Sequence, residues 1–445
     1  MRRLLPLAAL LFIYQGTQAA EYIQSENTVP ASAEETWTSI GVAFEEKKKE
    51  RRKLLLDEQK TRLEDKPPWL RDAVLDFNLR GYDFKRVNRD ENINEALALG
   101  GEFSFTSGKI ANIATIGLSY YLSYGLHAPD GEGGTGLLGP NQEDLSVLGQ
   151  AYLQLGDPNR IAARLYRQTM DLPYVNKDDS RMIPKTHEAY VLGSEGTGRD
   201  FIVGHISQIK LKDSEKFIPM SVAAGALGSS EGVTLAGAKF DLDNDAVIGG
   251  FTMYGWDTFS TTYLESTWAG PVMRKYGFKA GAQFTDQRSV GDELVGDFST
   301  HAFGLNMAGS RHGVVAKLAY TQTDKGGAIR SPWGGRPSYN SMMLQNFSRA
   351  GEKATSLGIS WSGKKHGQVN WSGYTNIVKG WGAVDADTGE SLSDVTEYDF
   401  TIDYKPKSGF ARGLWLRLRG AYADFDDGTE RWNVRLVLNY SLNLL

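Results

Sequence analysis

Arginines alternate along several segments of this chain, in a pattern that would line one face of a wall with positive charge. Arg417 and Arg419 lie two residues apart, Arg435 follows in the next segment, and Arg80 and Arg86 share an earlier one. Each guanidinium stays protonated and can hold a carboxylate through two parallel hydrogen bonds. A row of such groups would attract anions, raise their local concentration and pass a carboxylate from one group to the next.

The same charges have an alternative use. Asp399 and Asp403 alternate in the segment before Arg417, where they could pair with arginines across the wall. Alternation by itself favours neither an anion path nor a wall of paired, solvated charges, so both interpretations stay open at this point.

Motifs for enzymatic or cofactor chemistry occur, but without the structural context that each one needs. Gly228–Gly232 matches G-x-S-x-G around Ser230, yet it precedes a predicted strand instead of forming a strand-to-helix elbow. Gly131–Gly136 matches G-x-G-x-x-G with no predicted helix after it, which favours an outer loop. Asp241–Asp245 lacks the glycine of a calcium loop and is typical of a β-turn. The six histidines have no metal-ligand spacing, so we expect no metal and no other cofactor.

The elements that carry the arginines have a period of two. Thr115–Leu126 places Ile, Leu and Tyr on one face and Thr, Gly and Ser on the other, and Gly277–Gln287 and Val314–Thr321 repeat the pattern. The last segment, Trp432–Leu444, alternates apolar residues with Asn, Arg and Ser, as expected for a strand between lipid and water. Predicted helices do not separate these strands, so the pattern argues against a βαβ fold.

The length of the alternating segments favours a membrane barrel over a soluble sandwich. A tilted strand needs about 9–11 residues to cross an outer membrane, whereas sandwich strands have a mode of about 5–6. The region 70–445 then accommodates an even number of strands between about 16 and 20. A closed barrel of that size surrounds an aqueous lumen, which makes transport the default function.

The region before the barrel has two predicted parts. Residues 1–20 have the basic start, the apolar stretch Leu4–Tyr14 and the small-residue end of a cleaved signal peptide. Residues 21–69 are predicted to form a charged, partly helical periplasmic extension that ends near the Pro67-Pro68 pair. Residues 40–65 either form a solvated helix or bind a periplasmic partner.

Composition excludes several classes of function. The chain has 445 residues, with 49 Lys and Arg against 54 Asp and Glu, and it contains no cysteine. The absence of a cationic excess argues against a nucleic-acid partner, and the absence of cysteine excludes disulfides and thiolate chemistry. A mean hydropathy of −0.37 is ordinary, because apolar and polar faces of alternating strands average out.

Five segments in order resemble the outer-membrane porin D (OprD) family of substrate-specific channels. One of them, DSRMIPKT at Asp179–Thr186, is similar to the family signature D-S-R-L-x-P-x-T. The resemblance extends over about residues 72–445. The other four segments are Leu79–Arg86, Asn346–Lys353, Leu416–Arg419 and Val434–Tyr440.

The resemblance implies an antiparallel transmembrane barrel of 18 strands, narrowed by inward-folded loops, that passes small carboxylate-containing nutrients. It implies that Arg181, next to Ser180, lines the constriction. It also implies a basic ladder on the wall at Arg86, Arg417, Arg419 and Arg435, and we add Arg80 to the predicted set because it shares the face of Arg86.

Two departures from the family pattern modify these expectations. The later loop at Ser331–Ser341 contains Arg336 and no carboxylate, which disfavours a preference for basic amino acids. Asp403 occupies a position where some relatives have another ladder base, which predicts a shorter row.

The sequence therefore predicts a passive, substrate-selective porin in the outer membrane of a Gram-negative bacterium, and not an enzyme. Its expected partners are small carboxylate solutes, outer-membrane lipid and lipopolysaccharide, and it is expected to be a monomer or a weak trimer. The alternatives are a barrel enzyme, such as a lipid hydrolase or acyltransferase using Ser230, and a structural barrel tethered through its N-terminal helix.

Overall fold

The computed structural model describes residues 57–445 apart from 197, 243–244, 274–275, 364–369 and 409–410. The predicted signal peptide and most of the predicted extension lie outside the described residues. The described part begins with two short helices, α1 (Asp57–Arg62) and α2 (Pro68–Arg71). The Nζ atom of Lys60 donates to the carbonyls of Arg71 and Ala73, at 2.9 and 3.0 Å, so α1 contacts the start of the barrel. Within the described ranges, no helix is long and apolar enough to cross a membrane.

A closed antiparallel sheet forms the barrel wall, and the described residues contain 21 strands in all. They are β1 (Val74–Val87), β2 (Ile93–Thr106), β3 (Ala114–His127), β4 (Leu145–Asp157), β5 (Ile161–Gln168), β6 (Asp171–Leu172), β7 (Val175–Asn176), β8 (Thr186–Ser194), β9 (Arg199–Lys210), β10 (Phe217–Pro219), β11 (Val233–Leu242), β12 (Ala246–Gly255), β13 (Phe259–Met273), β14 (Tyr276–Ser289), β15 (Ser299–Arg311), β16 (Val314–Thr323), β17 (Lys353–Ser362), β18 (Trp371–Trp381), β19 (Val395–Tyr404), β20 (Leu414–Phe425) and β21 (Glu430–Asn443). The short strands β6, β7 and β10 lie in loops. The other 18 strands form the wall, and β21 pairs with β1 to close it. The predicted 18-stranded barrel is confirmed.

Side chains along each wall strand alternate between the lumen and the membrane. On β19 the exposed residues are Tyr398, Phe400 and Ile402, each at least 40% accessible. Their polar neighbours turn inward, as the period-two pattern predicts. The inward set, with accessibilities of 0, 4, 1 and 1%, is Glu397, Asp399, Thr401 and Asp403.

A charge placed on the outer face tests this assignment. Leu357, at the middle of β17, is 51% exposed on the membrane side. We expect Leu357→Arg to lower the free energy of unfolding from lipid vesicles by about 2–4 kcal/mol, the cost of arginine at the bilayer midplane. The control is Ser360→Arg on the lumen face of the same strand, which is expected to fold normally. Equal stabilities of the two variants would contradict the assigned faces.

The two ends of the barrel differ in the length of their connections. Turns such as 158–160 and 312–313 lie at the end that carries the start of β1, whereas segments 128–144, 169–185, 211–232 and 324–352 join strands at the other end. Outer-membrane barrels have short periplasmic turns and longer extracellular loops, so the long-loop end faces outward. We refer to residues 128–144 as the 130s loop, 169–185 as the 170s loop and 324–352 as the 330s loop.

The 170s and 330s loops meet inside the barrel. The amide of Asn176 donates to the carbonyl of Gly335 and accepts from its N–H, both at 2.8 Å. Trp333 is fully buried, and its Nε1 donates to the carbonyl of Met220 at 2.8 Å. A Cβ atom at Gly334 would lie 2.5 Å from the backbone nitrogen of Asn176, so the close approach requires glycine. The loops thus fill part of the lumen and narrow it.

Candidate functional site

Three guanidinium groups surround one buried phenyl ring. Phe84 is fully buried on the lumen face of β1, directly opposite Arg435 on β21. The Cζ atoms of Arg181, Arg435 and Arg86 lie 5.1, 5.2 and 5.6 Å from the centre of this ring. Cations at this distance are attracted to the face of an aromatic ring. Arg181 comes from the 170s loop, so the loop and the wall supply the group together.

Arg181 and Arg86 are held by backbone carbonyls of the loops. Arg181 donates from Nε to the carbonyl of Thr135 at 2.7 Å and from Nη1 to the carbonyl of Ser180 at 2.8 Å. Arg86 donates to the carbonyl of Gly134 at 3.4 Å and from Nε to the side-chain oxygen of Asn94 at 3.0 Å. Neutral acceptors orient a guanidinium without cancelling its charge, so both groups keep their attraction for an anion.

Arg435 and Arg419 continue this arrangement on neighbouring strands. They face each other in register between β21 and β20. Arg419 donates to the hydroxyls of Thr401 and Tyr374, at 3.3 and 3.1 Å, and Arg435 donates to the carbonyl of Met343 at 3.4 Å. Their hydrogen bonds among the described residues go to neutral groups. Four guanidiniums of like charge therefore lie close together, an arrangement that a bound carboxylate would stabilise.

Arg417 and Arg80, in contrast, form salt bridges with carboxylates. Arg417 donates to both oxygens of Asp403 at 2.8 and 3.0 Å. Arg80 binds Asp179 at 2.6 and 3.2 Å and also donates to the carbonyl of Arg181 at 2.5 Å. The interpretation of the arginines as paired charges therefore describes Arg417 and Arg80.

Ser180 lies inside the 170s loop, where it supports the neighbouring Arg181. Its hydroxyl donates to Asp178 at 2.9 Å, and its carbonyl accepts from the phenol of Tyr82 at 3.3 Å. Burial opposes ionisation of Asp178, but the ammonium of Lys212, at 2.7 Å, and that of Lys185 hold its pKa below the ordinary value. The ionised Asp178 thereby fixes the loop that carries Arg181.

Lys185 links the two inward loops and makes a pH-dependent contribution to stability. Its Nζ donates to the carbonyl of Pro332 at 3.2 Å, and burial lowers its pKa from 10.5 to about 8. Between these two values the unfolded chain binds more protons than the folded one, so the folded state gains stability as the pH rises. Relative to Lys185→Met, the free energy of unfolding should increase by up to about 3 kcal/mol from pH 8 to 10.5. A difference between wild type and variant that stays constant with pH would contradict this expectation.

The prediction missed two residues and one loop of this site. Arg431 occupies the same inward face of β21 as Arg435 and donates to the carbonyl of Leu344 at 3.4 Å. The alternation of β21, followed back beyond Trp432, would have found it. Phe84 lies two residues before Arg86, so the alternation placed both side chains on one face of the strand. The sequence did not indicate that three guanidiniums surround the ring of Phe84. The glycine cluster is an outer loop, as predicted, but its carbonyls also hold Arg86 and Arg181.

The sequence motifs for enzymatic, cofactor and metal chemistry do not have the structural context that each one needs. Gly228–Gly232 follows the short helix α3 (Met220–Ala223) in a loop that leads into β11, so the strand-to-helix context of a nucleophile elbow is missing. The 130s loop contains only the 3-10 turn Pro140–Gln142. Asp241 and Asp245 flank a short connection between β11 and β12. In the described part of the chain, no three His, Cys, Asp or Glu side chains are grouped to hold a metal ion.

Comparison with solved structures identifies similar barrels. OccK9 (OpdG) of Pseudomonas aeruginosa superposes with a TM-score of 0.78 at 20% identity, covering 85% of this chain and 100% of that one. OpdK of the same species, solved with vanillate, gives 0.75 at 20% identity, with coverages of 84% and 100%. A BenF-like porin from Pseudomonas fluorescens Pf-5 gives 0.75 at 17% identity, again with 84% and 100%. Identities this low establish the fold. Curated protein sequences gave no significant match.

A comparison of sequence families gives the stronger assignment. The family described as outer membrane porin, OprD family, matches residues 68–444, which include the whole barrel. Together with the closed sheet, this match indicates the outer membrane of a Gram-negative bacterium. The chain belongs to the OprD family of outer-membrane porins, which are substrate-specific channels.

Proposed function

We propose that this porin passes small carboxylate-containing solutes by passive diffusion and binds their carboxylates at Arg86, Arg181, Arg419 and Arg435. The observation that carries the proposal is the convergence of three guanidiniums on Phe84, each held by neutral acceptors. A carboxylate entering this group forms charge-assisted hydrogen bonds, and its charge relieves the repulsion among the cations.

In this proposal the predicted residues divide into two roles. The four named arginines bind the solute, and Arg431 extends the row toward the outer end of the barrel. Residues that alternate on a strand are about 7 Å apart along it, so Arg431 and Arg435 lie about 14 Å apart. A solute then moves from one guanidinium to the next without a chemical step. Arg80, Arg417 and Ser180 serve as supports, because their polar groups already bind protein partners.

The relatives support a carboxylate as the solute. OpdK was solved with vanillate, a carboxylate anion. That structure is 20% identical to this chain, so it bears on the class of solute and leaves the individual acid open.

Single-channel recording in planar bilayers tests the proposal. Short aliphatic acids and benzoate-like acids are added to the purified porin, and their dissociation constants are obtained from the block of the ion current. Because one charge-assisted hydrogen bond is lost, Arg181→Ala should raise these constants about tenfold, with a smaller change in high salt. Arg288→Ala, on an exposed residue outside the lumen, serves as the control. Unchanged block by every acid in Arg181→Ala would overturn the proposal.

A further inference from the structure

We propose that Glu397 and Asp399 are positioning residues that clamp residues 342–345 of the 330s loop between themselves and the arginine row. The clamp fixes the width of the outer channel and keeps Arg431 and Arg435 available to solutes. The inference concerns the loop, so its main test requires no carboxylate solute and is independent of the proposed function.

The clamp consists of three consecutive backbone N–H groups bound by two carboxyl groups. Oε1 and Oε2 of Glu397 accept from the N–H groups of Leu344 and Gln345 at 2.7 and 2.8 Å. Oδ2 of Asp399 accepts from the N–H of Met343 at 3.1 Å. Both acidic side chains are buried, at 0 and 4% accessibility. Burying a carboxyl group is costly unless it is hydrogen-bonded, and here the loop backbone provides the bonds.

The opposite edge of the same loop segment faces the arginines. The carbonyl of Met343 accepts from Arg435 and the carbonyl of Leu344 accepts from Arg431, both at 3.4 Å. The peptide groups of this segment therefore lie between two carboxyl groups and two guanidiniums. The peptide groups that join Met343 to Leu344 and Leu344 to Gln345 each present the N–H to Glu397 and the carbonyl to an arginine.

Strand register explains why this separation is needed. Glu397, Ala423 and Arg431 lie in one row across β19, β20 and β21. Adjacent strands are about 4.8 Å apart, so the acid and the base are about 10 Å apart at their backbones, within reach of a direct salt bridge over the small alanine. The loop segment fills the space above Ala423 and prevents that bridge. Without the segment, Glu397 would be able to neutralise Arg431.

Apolar contacts also hold this loop segment against the wall. Met342 and Leu344 pack against a buried cluster on the outer part of the wall. Apolar packing is non-directional, whereas the three N–H bonds set the register of the segment. The cluster consists of Phe347, Ala354, Val378, Val395, Ala423 and Phe425.

A cysteine reporter tests the clamp directly, because the natural chain contains no cysteine. Met343→Cys is introduced alone and together with Glu397→Gln, and the rate of modification by a small methanethiosulfonate reagent is measured in reconstituted porin. The side-chain oxygen of glutamine can accept from one loop N–H, but its NH2 group cannot accept from the other. Because one loop bond is lost, the introduced cysteine should be modified about tenfold faster. The noise of the open channel, recorded without any organic acid, should increase in the same variant.

Asp403→Asn is the matched control. It removes one carboxylate from the same face of β19, but Asp403 binds Arg417 and not the loop. Combined with Met343→Cys, this variant should be modified by the reagent at the same rate as Met343→Cys alone. Equal rates and equal noise in the Glu397→Gln and Asp403→Asn proteins would overturn the proposal. If Glu397→Gln fails to assemble, Asp399→Asn, which weakens a single loop bond, decides the matter by the same two measurements.

Discussion

Replacing Arg86, Arg181 and Arg435 together by glutamine should abolish measurable carboxylate block while leaving an open barrel. These three guanidiniums share Phe84 as their common contact, and their hydrogen-bond acceptors are neutral, so the group keeps a net positive charge. A hydrogen bond to a charged group contributes about 1.5–3 kcal/mol, and contributions of neighbouring groups are not additive. We therefore expect dissociation constants to rise at least about a hundredfold, with a shift of the reversal potential toward cation selectivity.

The control for this triple variant removes the same charge elsewhere. Arg71, Arg288 and Arg311 are exposed outside the lumen, and their joint replacement by glutamine should leave block and selectivity close to wild type. Reversal potentials in a salt gradient and acid titrations of the current give both quantities. A lumen triple variant that still binds acids within a few-fold of wild type would show that the solute takes another path.

The second large effect is a difference between two arginines of one strand, in acid binding and in stability. Arg419 and Arg417 both face the lumen on β20, but Arg419 binds hydroxyl groups whereas Arg417 is paired with Asp403. Arg419→Gln should raise dissociation constants for acids about tenfold and leave stability nearly unchanged. Arg417→Gln should leave acid binding within about twofold of wild type. It should, however, lower the free energy of unfolding by about 3 kcal/mol, because Asp403 remains buried without its partner.

These two variants are each other's control, since each removes one positive charge from the same strand face. Acid block is measured in bilayers, and stability is measured by urea unfolding from lipid vesicles. If Arg417→Gln weakened acid binding as much as Arg419→Gln, the salt bridge to Asp403 would not remove Arg417 from the solute's path. That result would restore the full predicted ladder.

Alternation was sufficient to predict the wall of this barrel. The inward and outward faces of β19 and β21 follow directly from the sequence, because a period of two places every second residue in the lumen. The length of region 70–445 predicted the number of strands to within a few, and the family resemblance narrowed that number to 18. Residues 1–56 were interpreted from composition and local pattern, and those interpretations stay predictions.

The pairing of individual arginines could not be predicted in the same way. Arg417 and Arg419 lie two residues apart on the same face of one strand. Their difference comes from the register of β19, which places Asp403 opposite one and Thr401 opposite the other. Register depends on turn geometry and on packing between strands, and a single sequence pattern does not determine it. The position of Arg181 depends in turn on contacts between distant loops.

The closure of β1 onto β21 also has a kinetic consequence. The hydrogen bond from Arg80 to Asn439 joins residues 359 positions apart in the chain. Contacts this distant in sequence form late, since the entropy of closing so long a loop must be overcome first. Phe84 and Arg86 lie on one side of this seam and Arg435 on the other. Under the proposed function, the carboxylate-binding group is therefore complete only after the seam has closed, so solute binding would distinguish a fully assembled barrel from a partly folded one.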